Sequence, residues 1–226
     1  MEQGVERQRY KIAVLGGTGA QGSGLALRLA DAGHAVTLGS RSADKARVAA
    51  AELSRKLDGK TIAGADNREA AGGAEIVILT VPYAVQRATV EEVKDRLAGK
   101  LLVDATVPLV PPKVSVVQLP EGRSAVAAIQ QMLGPDVKVV SAFQNVSAQH
   151  LAELGHDVDC DVLICGDDRA ACDTVIGLCA DIGLRGLYAG TIANSAAVEA
   201  LTSVLIAINR RYKVPGAGIR ITGLPE

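Results

Sequence analysis

Glycine recurs at G-x-G-x-x-G spacing in Gly17-Thr18-Gly19-Ala20-Gln21-Gly22. Each glycine of such a run answers a steric demand. Gly17 permits a sharp turn, Gly19 lets the backbone approach a pyrophosphate, and Gly22 lets a helix pack closely on a strand. A helix opening there offers unpaired N–H groups and about half a positive charge to phosphate. Further on, residues 39–41 read Gly-Ser-Arg, Lys45 follows, and positions 35–43 hold no Asp or Glu. A pocket for an unphosphorylated adenosine ribose wants an acid about 20 residues beyond the glycines, to hold the 2′-hydroxyl. Ser40, Arg41 and Lys45 suit a 2′-phosphate instead, which points to NADP(H) over NAD(H). Thr80-Val81-Pro82-Tyr83 closes an apolar run. Pro82 lacks an N–H and forces a turn, so the backbone around it is expected to face the nicotinamide ribose.

These residues need elements to carry them. Residues 10–15 form a β-branched run that stops at Gly16-Gly17, and residues 21–32 read as a helix closed by Gly33. Strands are expected at 35–38, 61–63, 75–81, 101–104, 137–141 and 162–165. Helices are expected at 42–57, 67–71, 84–97, 124–133, 169–181 and 195–210. The continuous apolar run at 75–81 suits a central strand covered on both faces. Strands alternating with helices predict an α/β protein with a Rossmann-type, doubly wound parallel sheet. Residues 107–120 break the rhythm with four prolines, and a loop of that length in a compact domain is generally functional. Residues 1–141 read as the NADP-binding domain. Residues 142–226 read as a smaller C-terminal α/β domain closing the acceptor cleft.

Composition removes other classes. Among 226 residues, 24 Lys and Arg face 25 Asp and Glu, for a net charge of −1, which excludes a basic nucleic-acid footprint and a polybasic membrane face. One Phe, four Tyr and no Trp leave little for base-stacking platforms. No apolar stretch approaches the roughly 18 residues of a membrane span. Residues 1–9 are polar and read as a short disordered arm. Cys160, Cys165, Cys172 and Cys179 form no C-x-x-C pair, and the His spacing fits no zinc site. Reduced, packed thiols in a cytoplasmic protein are expected. Asp167-Asp168 read as a helix cap. Asn194 or Ser195 reads as the cap of the last helix, with Glu199 placed in its first turns. Val198, Leu201, Leu205 and Ile208 form a stripe for the core or a partner subunit.

Several segments together resemble a known family, the NADPH-dependent reductases of the deazaflavin coenzyme F420. They are LGGTG at 15–19, GLALRLA at 24–30, GSR at 39–41, LTVP at 79–82, VVSA at 139–142, CGDD at 165–168 and NS..VE.LT at 194–202. The last two lie outside the dinucleotide fold. The resemblance implies that Thr18, Gly19, Ala20 and Gln21 line the pyrophosphate and that Ser40, Arg41 and Lys45 take the 2′-phosphate. It places Val81, Val85, Val107 and Ala148 along the nicotinamide half, and implies a homodimer with the deazaflavin between the domains. Where family members often carry a His after VVSA, this chain has Gln144, in Phe143-Gln144-Asn145-Val146-Ser147. Gln can donate a hydrogen bond to a flavin carbonyl but cannot become charged.

Hydride transfer is the cofactors' own chemistry, so binding and orientation are the protein's part. No nucleophile or triad is expected, and none is visible. Gln144, Asn145 and Ser147 are the expected orienting groups, with Val146 beside them. Hydride exchange between NADP(H) and F420 is the leading reading. An NADPH-dependent FMN or FAD reductase and a non-catalytic NADP(H)-sensing module are the alternatives.

Overall fold

The computed structural model describes residues 8–224; most of the expected N-terminal arm lies outside them. In chain order the elements are β1 (Lys11–Leu15), α1 (Ala20–Asp31), β2 (Ala35–Ser40), α2 (Ala43–Ser54), β3 (Ala63–Asp66) and α3 (Asn67–Gly73). Then follow β4 (Ile76–Leu79), α4 (Tyr83–Val93), β5 (Leu101–Asp104), α5 (Ala125–Leu133), β6 (Lys138–Ser141) and α6 (Ala148–Leu151). β7 (Asp161–Gly166), α7 (Arg169–Asp181), β8 (Arg185–Tyr188) and α8 (Ser195–Tyr212) complete the chain. Two of these are absent from the sequence reading, the one-turn α6 and the short edge strand β8.

The strands form one eight-stranded sheet in the order β3-β2-β1-β4-β5-β6-β7-β8. Every pairing is parallel except β6 with β7, where Ser141 faces Cys165 in antiparallel register. The sheet therefore runs unbroken across residues 141 and 142, between which the sequence reading divides the chain. Strand residues alternate between two cores. Ile12, Val14, Ile76, Ile78 and Val103 face α1, α2 and α7. Ala13, Leu15, Val77, Leu79 and Leu102 face α3, α4 and α5. With both faces covered, no side of a central strand meets water, which is why these runs are continuously apolar.

Register is what gathers the site. Gly39 of β2 pairs with Leu15 of β1, Leu15 with Leu79 of β4, Leu79 with Asp104 of β5, and Asp104 with Ser141 of β6. Five carboxyl ends thus stop on one line, and the residues just past it, far apart in sequence, are neighbours.

Caps explain where helices begin. The side chains of Ser42, Asp66, Ser124 and Asp168 accept from backbone N–H groups of α2, α3, α5 and α7. Asp167 does something else: its Oδ1 accepts from the Ile192 N–H ahead of α8. Two expectations for α8 are corrected. Asn194 makes no capping bond to α8, its Nδ2 donating to Ala189 O instead, and Ser195 Oγ donates to Ile192 O. Glu199 serves α5 rather than its own helix. Its carboxylate accepts from Ser124 Oγ (2.7 Å), Ala125 N (2.8 Å) and Val126 N (3.1 Å). A long-range contact fills a need that a local reading assigned locally.

The expectation that no apolar stretch approaches a membrane span is corrected at Ile192–Tyr212, which is long and apolar enough by length and composition, with mean hydropathy 1.4. It carries the buried Glu199 and packs Val198 and Leu205 into the molecule. All four cysteines are free and buried, and burial pushes the thiols up, Cys165 to about 12 and Cys172 to about 11.

Candidate functional site

Beyond the line of strand ends lies a cavity of about 780 Å³, within the usual size of small-molecule sites. It begins at the glycine turn. Gly16 takes φ +79°, so the left-handed residue of the turn is Gly16 and not Gly17. Gly17 is required for clearance: a Cβ there would sit 2.6 Å from Leu38 Cδ2 and 2.8 Å from Val14 O. Gly22 is closed in the same way, 2.5 Å from Thr80 Oγ1. A Cβ on Gly19 would meet only Gly16 O, at 3.3 Å, and Gly19 itself lines the cavity. Helix α1 starts there with no side-chain cap and no acid in its first turn. Its positive end is left to whatever enters.

At one end the cavity is lined by Ser40, Arg41 and Asn67. Arg41 is exposed and forms no ion pair with any described residue. Lys45 is exposed on α2 and is not among the lining residues; its backbone N–H is taken by the Ser42 cap. Asn67, which sequence reading missed as a site residue, is 2% exposed. Its Nδ2 donates to Glu92 Oε2 (3.1 Å) and its Oδ1 has no partner among the described residues. Because a carboxylate only accepts, the amide cannot be turned over. The available signal was its place, directly after β3 at the carboxyl edge of the sheet.

The middle is Thr80, Val81, Pro82, Val85, Thr106 and Val107, with the proline-rich loop supplying Leu109, Pro111 and Val114 as a wall. Thr80 Oγ1 donates to Leu15 O (2.9 Å), fastening β4 to β1 at the turn. Asp104 is fully buried beneath this stretch. Its Oδ1 accepts from Thr106 N (2.9 Å) and its Oδ2 from Gln86 Nε2 (2.6 Å), and burial raises its pKa against those hydrogen bonds.

The other end is made by Gln144, Val146, Ala148 and Thr202. Gln144 Nε2 donates to Asp104 O and to Ser141 Oγ, both at 2.8 Å, while Oε1 has no partner among the described residues. The Asp104 carbonyl fixes that orientation. Both amide protons are spent, so the expectation of a donor at Gln144 is corrected: the free position is an acceptor. Thr202 Oγ1 donates to Gln144 O (2.8 Å). Asn145 and Ser147, expected as orienting groups, do not line the cavity. Asn145 turns inward, its Nδ2 donating to Asp161 O (2.6 Å).

The cavity thus gathers Thr18, Gly19, Ala20, Gln21, Ser40, Arg41, Val81, Pro82, Val85, Val107, Gln144, Val146 and Ala148 from the sequence reading. Gly17 and Gly22 lie beneath it and Lys45 outside. Ligands of open α/β sheets settle where strand order reverses, here between β1 and β4, beside the glycine turn. Fold and cavity together are those of the Rossmann class of dinucleotide-dependent oxidoreductases. Residues 11–108 match the family model described as NADP oxidoreductase, coenzyme F420-dependent. The chain is 44% identical over 223 residues, 96% of its length and 100% of the relative's, to the F420-dependent NADP reductase of Methanothermobacter marburgensis. It is 41% identical over 222 residues, 95% of its length and 99% of the relative's, to that of Methanocaldococcus jannaschii. The crystal structure of a candidate F420-dependent NADP reductase from Arthrobacter sp. FB24 superposes with a TM-score of 0.77 at 30% identity, covering 95% of this chain and 100% of the other. The chain belongs to the F420-dependent NADP reductase family.

Proposed function

We propose that this protein passes a hydride between NADP(H) and coenzyme F420, with both bound along the one cavity. The observation that carries the reading is continuity: the glycine turn and Arg41 open into the same space as Gln144 and Thr202. The chain's own residues bind and orient. The free N-terminus of α1 and the Thr18–Gln21 backbone take the pyrophosphate. Ser40 and Arg41 take the 2′-phosphate, a charge-assisted contact. Val81, Pro82, Val85 and Val107 flank the nicotinamide half and keep water from the transfer path. The acceptor Oε1 of Gln144 meets a ring N–H or amide N–H, and Val146, Ala148 and Thr202 complete that wall. Residues 1–141 supply the dinucleotide half and residues 142–226 most of the deazaflavin wall. When bound, the two cofactors supply hydride donor and acceptor carbons, which react from about 3–3.5 Å.

The protein acts as a homodimer in the cytoplasm on this reading. A row of exposed apolar residues one turn apart on α8, Val204, Ile208 and Tyr212, supports the first statement, and four free thiols support the second. No nucleic acid or membrane partner is proposed. Mixing the purified protein with NADPH and F420 under anaerobic conditions is expected to consume both in a one-to-one ratio. NADPH oxidation with FMN or FAD but never with F420 would overturn the reading, as would tight NADPH binding without turnover.

A further inference from the structure

We propose that Gln21 is a positioning residue that braces the deazaflavin end of the cavity from the dinucleotide end, by holding the turn that carries Gln144. The inference rests on the seat proposed above for the deazaflavin beside Gln144. Gln21 belongs by position to the glycine motif, yet its side chain leaves it. Nε2 donates to the carbonyl of Phe143 at 2.7 Å, across 122 residues of sequence. A carbonyl only accepts, so the amide nitrogen is the atom that faces it.

Phe143 is an unusual residue to find there. It holds φ +73°, a region that residues with a side chain rarely occupy, while its ring is buried to 1% exposure. Outliers of this kind persist only where the surroundings over-determine them. Core packing fixes the ring, Gln21 fixes the carbonyl, and together they set the direction in which the chain leaves β6. Gln144 is the next residue, and its free Oε1 depends on that direction. The same helix grips the far end of the segment. Arg28, two turns along α1, donates to the carbonyls of His150, Leu151, Glu153 and His156. Helix α1 thus has two tasks: its N-terminal backbone faces the phosphates, and its side chains hold residues 143–156 in place.

The test is Gln21→Met, which keeps length and removes the donor, with Gln21→Leu as a second variant should Met fold poorly. The NADPH Kd from fluorescence titration is expected to stay within about twofold, because backbone amides make the phosphate contacts. The KM for F420 is expected to rise roughly tenfold, the worth of one hydrogen bond. Gln144→Ala is measured in parallel and is expected to raise the F420 KM at least as much, and adding Gln21→Met to it should cost little more. The proposal is overturned if NADPH affinity falls as the F420 KM rises, which would make Gln21 a plain dinucleotide ligand, if the F420 KM does not move, or if the two losses simply add. A brace that fails alone leaves Gln144→Ala impaired. A deazaflavin seat that fails leaves Gln144→Ala at the wild-type F420 KM.

Discussion

At the scale of single residues, the proposed choice of NADP(H) rests on Arg41. It lines the cavity without an ion-pair partner among the described residues, and no carboxylate stands between positions 35 and 43 to repel a phosphate. Replacing it removes a charge-assisted hydrogen bond worth roughly 1.5–3 kcal/mol, or one to two decades of affinity. Arg41→Ala is therefore expected to weaken NADPH about 10- to 100-fold in a titration and to leave NADH nearly unchanged. Lys45→Ala should change NADPH affinity no more than about threefold, since Lys45 lies outside the lining. Equal losses from the two variants would show that Lys45 swings in on binding. Sequence pattern picked out Arg41 and Lys45 together because both are basic and near the end of β2; only the capped first turn of α2 separates them. The glycines show the same division. Their spacing identified the turn, but not that Gly16 takes the left-handed conformation, nor that a Cβ there would lie 2.8 Å from Val81 Cγ1, a residue of another strand end.

At the scale of elements, the sheet is clamped by buried polar pairs that no periodicity reveals. His34 stands at the start of β2, 4% exposed. Its Nδ1 accepts from Tyr10 N (3.3 Å), so Nε2 carries the proton that faces Asp181 Oδ2 (3.1 Å) at the end of α7. Burial lowers the His34 pKa, against the pull of Asp181. The unfolded imidazole takes up its proton near pH 6.5, the folded one only at lower pH. Between those points the unfolded chain binds more protons, so stability falls as pH drops below about 6.5, by at most about 1.4 kcal/mol per pH unit. Urea melts of wild type and His34→Gln at pH 7.5 and 5.5 should converge at the lower pH. Parallel curves would show that His34 carries no such linkage. Asp104 and Glu199, whose pKa values burial raises, bias stability the other way in both proteins and cancel in the comparison.

At the scale of the whole molecule, α8 looks both inward and outward. Ser195, Glu199 and Ser203 are buried, whereas Val204 is 45% and Tyr212 71% exposed. An apolar stripe continuing past the point where the core ends is what a subunit interface requires. Val204→Asp is expected to convert a dimer to a monomer in sedimentation velocity while NADPH binding survives, because α8 contributes Thr202 alone to the cavity. A wild-type monomer at micromolar concentration would overturn the dimer.

Period and punctuation in the chain determined the doubly wound α/β architecture, the glycine turn, the basic residue that follows β2 and the loop with four prolines that walls the cavity. All of these are local: a strand, a turn and a helix start are written in about a dozen consecutive residues. The tertiary structure decided what depends on contacts between distant segments. It turned Glu199 from its own helix to α5, spent both amide protons of Gln144, sent Asn145 inward and aimed Gln21 at Phe143. It also laid β7 and β8 onto the same sheet, since an edge strand such as Arg-Gly-Leu-Tyr gains its identity from the neighbour that hydrogen-bonds to it and not from its own composition.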